Sequence, residues 1–250
     1  MFAERPMLER FGAAAAGFKA VELQVPYEHP AGAVRAEIER HGLRMLGINT
    51  ASGRPGEFGL AALPGRERDF AAAFDQALDY VLTVGGTAIH CMSGVVPPEQ
   101  RAEAERAFVA NMARAGDLAA GKDITLLIEP INQRERPNYF LARPEDAAEL
   151  IGRIGRDNVR IQFDFYHAQI TGGDLITRFA KHLPLVGHVQ VAAVPSRAEP
   201  DEGEINYPAV FAAVDRLGYG GFIGCEYKPR ARTEDGLVWA REFGIGPPQQ

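Results

Sequence analysis

Short apolar runs alternate along the chain with longer segments of helical period, and this alternation constrains the fold more than any other feature. Parallel strands need helical crossovers between them, so the pattern indicates a parallel sheet covered by helices. Several of the runs are almost continuously apolar, as is typical of strands buried on both faces. The seven strand candidates are residues 21–25, 44–51, 88–92, 125–130, 159–165, 186–192 and 222–228.

Eight helical segments lie around these runs. In one of them Phe70, Phe74, Ala77 and Val81 form a single apolar stripe that we expect to face a core. The eight segments are residues 6–16, 31–41, 70–81, 108–119, 144–152, 174–182, 207–216 and 233–243. Strict alternation with right-handed crossovers therefore predicts an outer helical layer around the sheet.

The number of helices predicts a closed α/β barrel of the (β/α)₈ or TIM type. Such barrels commonly run to about 250 residues as one domain, so residues 1–250 are expected to form a single barrel domain. A first strand should precede Pro6, but only residues 1–5 are available there. We therefore expect the first strand to be short or missing at the N-terminus.

The charge and composition exclude several classes of function. The net charge is −6 and no block of Lys or Arg is present, so nucleic acid is not expected as a partner. No apolar run is long enough for a membrane span, and no signal peptide is recognisable, which predicts a cytoplasmic location. Cys91 and Cys225 are expected to be reduced, packed thiols. A monomer and a homo-oligomer both stay open.

Four oxygen-bearing side chains follow consecutive strand candidates. These are Glu129, Asp164, Gln190 and Glu226, and each lies at or near the end of its apolar run. Active sites of such barrels form at the carboxyl ends of the strands, where these side chains would repel one another unless protonated or bridged by a cation. All-oxygen ligation favours one divalent cation, Mg²⁺ or Mn²⁺, over zinc. Any one of them alone would equally fit a helix cap or a satisfied polar residue.

Three segments carry a family resemblance. Residues 129–141 (Glu-Pro-Ile-Asn-Gln-Arg-Glu-Arg-Pro-Asn-Tyr-Phe-Leu), 163–169 (Phe-Asp-Phe-Tyr-His-Ala-Gln) and 187–192 (Gly-His-Val-Gln-Val-Ala) resemble the hydroxypyruvate isomerase family within the xylose isomerase-like barrels. The resemblance extends over about residues 1–239. Members of that family begin with a full first strand, from which this chain departs.

The resemblance implies a metal-dependent isomerase that interconverts hydroxypyruvate and tartronate semialdehyde (2-hydroxy-3-oxopropanoate) through an enediolate. It implies that Glu129, Asp164, Gln190 and Glu226 hold the metal and that the two glutamates act as acid and base. Related ketose epimerases usually carry histidine at the position of Gln190.

Three histidines are further candidates for the site. The resemblance implies that His167, on the loop after Asp164, binds a substrate oxygen. His188 lies two residues before Gln190, so both should face the barrel interior. It is interpreted as a residue that orients a metal ligand, with a packed core histidine as the alternative. His90 ends its strand and is expected either to touch substrate or to be a buried, hydrogen-bonded histidine.

A sugar-acid substrate also needs a cation for its carboxylate. Arg197 matches a position at which relatives hold the substrate's oxygens, and a guanidinium can bind a carboxylate bidentately. Lys228, two residues beyond Glu226, is expected to point the same way. Asn132, Gln133 and Arg134 are expected to shape the entrance or to form loop hydrogen bonds.

Other functions stay open at this stage. The nearest alternatives share the mechanism and are a 2-oxo-tetronate isomerase and a ketose 3-epimerase, although Gln190 argues mildly against the epimerase. A metal-dependent endonuclease would need several more histidine ligands and a basic face. An inactive sugar-binding barrel would leave the two opposed glutamates without a role.

Overall fold

A computed structural model of the chain describes residues 1–246, and these residues contain seven parallel strands. Each strand pairs in parallel with its neighbours in chain order, so the sheet curls into a nearly closed barrel. The α/β barrel prediction is therefore confirmed. The strands are β1 (Ala20–Leu23), β2 (Arg44–Asn49), β3 (Ala88–His90), β4 (Thr125–Ile128), β5 (Val159–Asp164), β6 (Val186–Val191) and β7 (Ile223–Cys225).

The helices are α1 (Ala31–Arg40), α2 (Glu67–Val84), α3 (Arg101–Ala120), α4 (Pro144–Ile154), α5 (Phe165–Gly172), α6 (Leu175–His182) and α7 (Tyr207–Arg216). The predicted helical segments at the two ends are 3₁₀ segments, Met7–Ala16 and Thr233–Phe243, rather than α-helices. Helix α5 was not predicted, because its residues continue an apolar strand without a break. Within residues 1–246, no helix combines the length and apolar composition that a membrane crossing requires.

The seam between β7 and β1 holds no strand among the described residues. The first residues are anchored instead against the C-terminal 3₁₀ segment. The backbone N–H of Phe2 donates to Thr233 Oγ1 at 2.8 Å, and the backbone N–H of Thr233 donates to the Glu4 carboxylate at 3.0 Å. Within residues 1–246 no strand precedes β1, which agrees with the prediction that the first of eight strands is short or missing.

The core lies between the sheet and the helical layer. The predicted stripe of α2 is buried, with Phe74 and Val81 at most 1% exposed. On the outer face of β5, Phe163 packs against Phe165 and Phe179, with ring centroids 5.1 and 5.3 Å from its own. Because neighbouring residues of a strand point to opposite faces, this packing directs the adjacent Asp164 into the barrel.

The loops at the carboxyl ends of the strands are joined in two groups. Antiparallel bridges connect Gly59 to Ser93 and Val95 to Tyr139, which links the loops after β2, β3 and β4. Gly59 has φ +128°, and a Cβ there would collide with the Met92 carbonyl, so the bridge requires glycine.

The second group is held by side chains. Arg230, after β7, donates to Glu199, Asp201 and Glu202 of the loop between β6 and α7, at 3.0, 2.8 and 2.9 Å. The Glu199 carboxylate is fully buried beneath this guanidinium. The two loops therefore meet mainly through ion pairs, together with one backbone hydrogen bond from the Lys228 N–H to the Arg197 carbonyl at 2.8 Å.

Replacing Phe163 by alanine should lower the free energy of unfolding by about 3–5 kcal/mol, because the cavity would lie between β5 and α6. Urea unfolding followed by circular dichroism measures the change. Phe243→Ala is the matched control, since that ring is 51% exposed, and should cost about 1 kcal/mol or less. Equal losses in the two variants would contradict the assignment of Phe163 to the core.

Candidate metal site and active site

The four predicted oxygen ligands lie at one end of the barrel. Glu129 directly follows β4, Asp164 ends β5, Gln190 lies in β6 and Glu226 directly follows β7. Asp164 stands opposite Gln190 in the strand register, and Gln190 stands opposite Gly224, two residues before Glu226. Glu129, Asp164 and Gln190 are buried, and the Glu226 side chain is 23% exposed.

The three carboxylates share one environment, as their pKa values indicate. Burial raises the pKa of Glu129 well above its usual range, and the charges of Glu226 and Asp164 raise it further. Burial, followed by the charge of Glu226, raises the pKa of Asp164 to about 7. Burial also raises the pKa of Glu226, while the neighbouring Arg197 acts in the opposite direction. Like charges held this close favour proton uptake or a bound cation.

The donor set fits a hard divalent cation. Glu129 Oε1 and Asp164 Oδ2 are buried and have no hydrogen-bond partner within residues 1–246. A buried carboxylate oxygen without a partner costs free energy, which an oxygen-coordinated cation such as Mg²⁺ or Mn²⁺ would offset. Glu129, Asp164 and His167 each offer a ligand atom, and the three atoms lie within 4.8 Å of one another.

His167 lies in helix α5 and not on a loop, which corrects the prediction from sequence. The backbone N–H of Asn132 donates to His167 Nδ1 at 3.3 Å, so the neutral ring carries its proton on Nε2. That nitrogen is 3.7 Å from Glu129 Oε1 and from Asp164 Oδ2. Burial, aided by the charge of Arg197, lowers the pKa of His167 well below its usual value. In this tautomer His167 is positioned as a neutral hydrogen-bond donor beside the carboxylates.

Arg197 connects two acidic side chains at the mouth. Its Nη2 donates to Glu226 Oε2 at 3.0 Å, and its Nη1 donates to Glu135 Oε2 at 2.5 Å. The Tyr166 hydroxyl donates to the other oxygen of Glu135 at 2.6 Å, and the guanidinium lies over the Tyr166 ring. Sequence reasoning missed Glu135 and Tyr166, although both lie in the segments that carry the family resemblance.

His90 lies beside this cluster, whereas Lys228 stands apart from it. His90 is buried with Nδ1 3.7 Å from Glu129 Oε2, and burial lowers its pKa to about 4. The Lys228 side chain is exposed, and only its backbone N–H reaches the site region, donating to the Arg197 carbonyl at 2.8 Å. A role in substrate binding stays a prediction for both residues.

Glu22 in β1 and Gln24 directly after it contribute two side chains that sequence reasoning missed. Glu22 Oε2 is 2.9 Å from His188 Nε2, and Gln24 Nε2 donates to Glu226 Oε1 at 2.5 Å. His188 thus contacts Glu22 directly and reaches Gln190 only through it. The signal was present in the first apolar run, where two polar residues at a spacing of two share one face of a strand.

Comparison with known proteins identifies similar chains. A family model described as xylose isomerase-like TIM barrel matches residues 12–243. A 2-oxo-tetronate isomerase of Cupriavidus necator is 46% identical over 247 residues, covering 97% of this chain and 95% of the relative. A hydroxypyruvate isomerase of Escherichia coli is 36% identical over 243 residues, covering 96% of this chain and 94% of the relative. The crystal structure of an AP endonuclease, family 2, from Brucella melitensis superimposes with a TM-score of 0.95 at 43% identity, covering 97% and 95% of the two chains.

Without divalent cations, the contribution of Asp164 to the free energy of unfolding should fall as pH rises from about 4 to 7. The raised pKa of Asp164 keeps it protonated in the folded protein up to about pH 7, whereas the unfolded chain releases that proton near pH 4. Its contribution to stability is therefore full below about pH 4 and is lost as pH rises through about 7. Urea unfolding in EDTA measures the dependence.

Asp164→Asn is the control for this titration and should show a flatter pH profile. Saturating Mg²⁺ should restore stability at pH 8 in the unsubstituted protein but much less in the variant. Parallel profiles for the two proteins would contradict the assignment to Asp164.

Proposed function

Because the chain belongs to the hydroxypyruvate isomerase family of the xylose isomerase-like TIM barrels, and is thereby an isomerase, we propose that it moves the carbonyl of a short 2-oxo acid between carbons two and three with the aid of a divalent cation. The observation that carries the proposal is the group of mutually repelling carboxylates Glu129, Asp164 and Glu226 beside the guanidinium of Arg197.

We propose 2-oxo-tetronate as the preferred substrate and hydroxypyruvate, which the motifs first suggested, as the second candidate. Both acids carry a carboxylate, a 2-oxo group and a hydroxyl on carbon three, and they differ by one hydroxymethyl group. The relative with the higher identity is named 2-oxo-tetronate isomerase, which supports this order. One carbon changes binding by only about 1–3 kcal/mol, so activity on both is expected.

Glu129 and Glu226 are the proposed acid–base pair. One carboxylate removes the proton from carbon three, the other side chain returns a proton to carbon two, and the hydroxyl proton passes from one oxygen to the other. The raised pKa values of both groups suit proton exchange near neutral pH. When bound to Glu129, Asp164, Gln190 and Glu226, Mg²⁺ or Mn²⁺ would supply positive charge that acidifies the C–H bond and stabilises the enediolate.

Arg197 and His167 are proposed to position the substrate. The Arg197 guanidinium faces Glu226 and can bind the acid's carboxylate with two parallel hydrogen bonds. His167 Nε2–H points between Glu129 and Asp164 and can donate to the oxygen on which negative charge develops.

The other candidate functions are less well supported. An endonuclease would need a basic face, whereas the net charge is −6. Residues 1–246 contain a single group of three metal-ligating side chains, which is fewer than a metal cluster needs. An inactive barrel would retain three clustered carboxylates, two of them buried, at a cost in stability with no use for them. Gln190 again argues mildly against a ketose 3-epimerase.

Purified protein loaded with Mn²⁺ should catalyse isomerisation of 2-oxo-tetronate and, more slowly, of hydroxypyruvate, with deuterium from solvent incorporated at carbon three. Proton NMR in deuterium oxide follows both the exchange and the product. Failure to exchange deuterium into either acid, although Mn²⁺ is bound, would overturn the proposal.

Glu129→Gln and Glu226→Gln are the controls for that assay. Each should lower kcat by about a thousandfold, since removing a general acid or base typically costs 10²–10⁴-fold. Equilibrium dialysis with Mn²⁺ verifies that metal is still bound. Near-normal turnover in either variant would remove that residue from the pair.

Arg197→Lys should raise KM for the acid substrate about tenfold or more while changing kcat less, because lysine keeps the charge but loses the bidentate fork. Steady-state kinetics with Mn²⁺ at saturation measures both constants. Arg156→Lys is the matched control, since Arg156 pairs bidentately with Asp117 on the surface. An unchanged KM in Arg197→Lys would show that the carboxylate binds elsewhere.

A further inference from the structure

Side chains of β1 and of the residue after it extend across the seam between β7 and β1. Glu22 lies in β1 and contacts β6, and Gln24, which directly follows β1, contacts Glu226, which directly follows β7. Glu22 Oε1 accepts a hydrogen bond from Gln190 Nε2 at 3.0 Å, and Gln24 bonds Glu226. Strand β1 and the residue after it therefore contact two of the proposed metal ligands, although β1 has no backbone partner at the seam.

The Gln190 side-chain amide has an oxygen that accepts hydrogen bonds and a nitrogen that donates them. Its neighbours determine the direction in which each atom points. Its nitrogen faces Glu22, and its oxygen accepts from Gln162 Nε2 at 2.8 Å. Gln162 lies in β5, so the Gln190 oxygen is directed toward the strand that carries Asp164. A coordinating oxygen on that side is what a cation shared with Asp164 requires.

Glu22 and Gln162 do not constrain this orientation equally. If the Gln190 amide turned over, Gln162 could turn over with it and present its own oxygen as the acceptor. A carboxylate paired with an imidazole has no such alternative, because both of its oxygens are acceptors. A turned amide would place the Gln190 oxygen against Glu22 and lose the hydrogen bond, so Glu22 decides the orientation.

His188 and Gly224 keep Glu22 in place. His188 Nε2 lies 2.9 Å from Glu22 Oε2, which leaves Oε1 for Gln190. A Cβ at Gly224 would collide with Glu22 Oε1 and lie 3.0 Å from His188 Nε2, so only glycine in β7 leaves room for the carboxylate. Residues of β1, β6 and β7 together thus hold the Glu22 carboxylate against β6.

From this arrangement we propose that Glu22 is a positioning residue that fixes the Gln190 amide with its oxygen directed to the metal. The inference rests on the proposed metal-dependent function and adds to it a residue of β1 that does not itself bind the metal. Mutating a residue that holds a metal ligand without binding the metal itself typically lowers metal affinity by about 10–100-fold.

Glu22→Gln tests the proposal, because a glutamine can face Gln190 with either its nitrogen or its oxygen. Mn²⁺ is titrated into EDTA-treated protein, and free Mn²⁺ is counted by electron paramagnetic resonance. The dissociation constant for Mn²⁺ should rise about tenfold or more. Glu105→Gln, which breaks a surface pair with Arg153, should leave it unchanged.

A variant that exchanges the two side chains, Glu22→Gln with Gln190→Glu, should regain at least the unsubstituted affinity. It keeps the net charge and the hydrogen bond, and every oxygen of residue 190 is then a ligand atom. This rescue separates positioning from a general effect on folding. If Glu22→Gln does not fold, the exchanged variant carries the test alone, and a tenfold weaker affinity would overturn the proposal.

Wild-type affinity for Mn²⁺ in a folded Glu22→Gln protein would also overturn the positioning role, while leaving the proposed function intact. Failure of the unsubstituted protein to bind Mn²⁺ would instead overturn the proposed function.

Discussion

Glu129, Asp164 and Glu226 repel one another at the mouth of the barrel, and the surrounding side chains are arranged around that repulsion. Burial raises the pKa of each carboxyl group, and the charge of Glu226 further raises the pKa values of Glu129 and Asp164. Arg197 offsets part of the charge on one side, and two oxygens on the other side are left without hydrogen bonds among the described residues. An acidic cluster of this kind is unfavourable by itself, and a cation bound at the proposed site would offset that cost.

The barrel also shows how a seven-stranded sheet can keep such a site in register. Backbone pairing runs from β1 to β7 and stops at the seam, where the first residues dock against Thr233. Glu22, Gln24 and Glu226 lie in or directly after the strands that flank the seam, so side-chain hydrogen bonds act where ladder hydrogen bonds are absent. The proposed ligands thus stay aligned without an eighth strand.

The sequence predicted the fold, and it placed the four proposed oxygen ligands at one end of the barrel, because both depend on local patterns. Alternating apolar runs specify parallel strands, and a polar residue at the end of such a run lies at the mouth whatever the details of packing. Contacts between distant segments were less accessible. Glu22 has the sequence pattern of an ordinary strand residue, and its role depends on its contact with β6. The role of Glu135 depends on its ion pair with Arg197, 62 residues away. Helix α5 was missed because Phe165 and Tyr166 are as apolar as the strand before them.

The two groups of loops around the mouth differ in what holds them. On one side, backbone bridges at Gly59 and Val95 join three loops, and the bridge at Gly59 depends on a glycine. On the other, the carboxylates around Arg230 and Arg197 hold the loops, so single substitutions can loosen or reshape that wall. Among such barrels, we expect the substitutions that change the accepted length of the substrate to accumulate in the ion-paired loops. The loops joined by backbone bridges are expected to keep the same path.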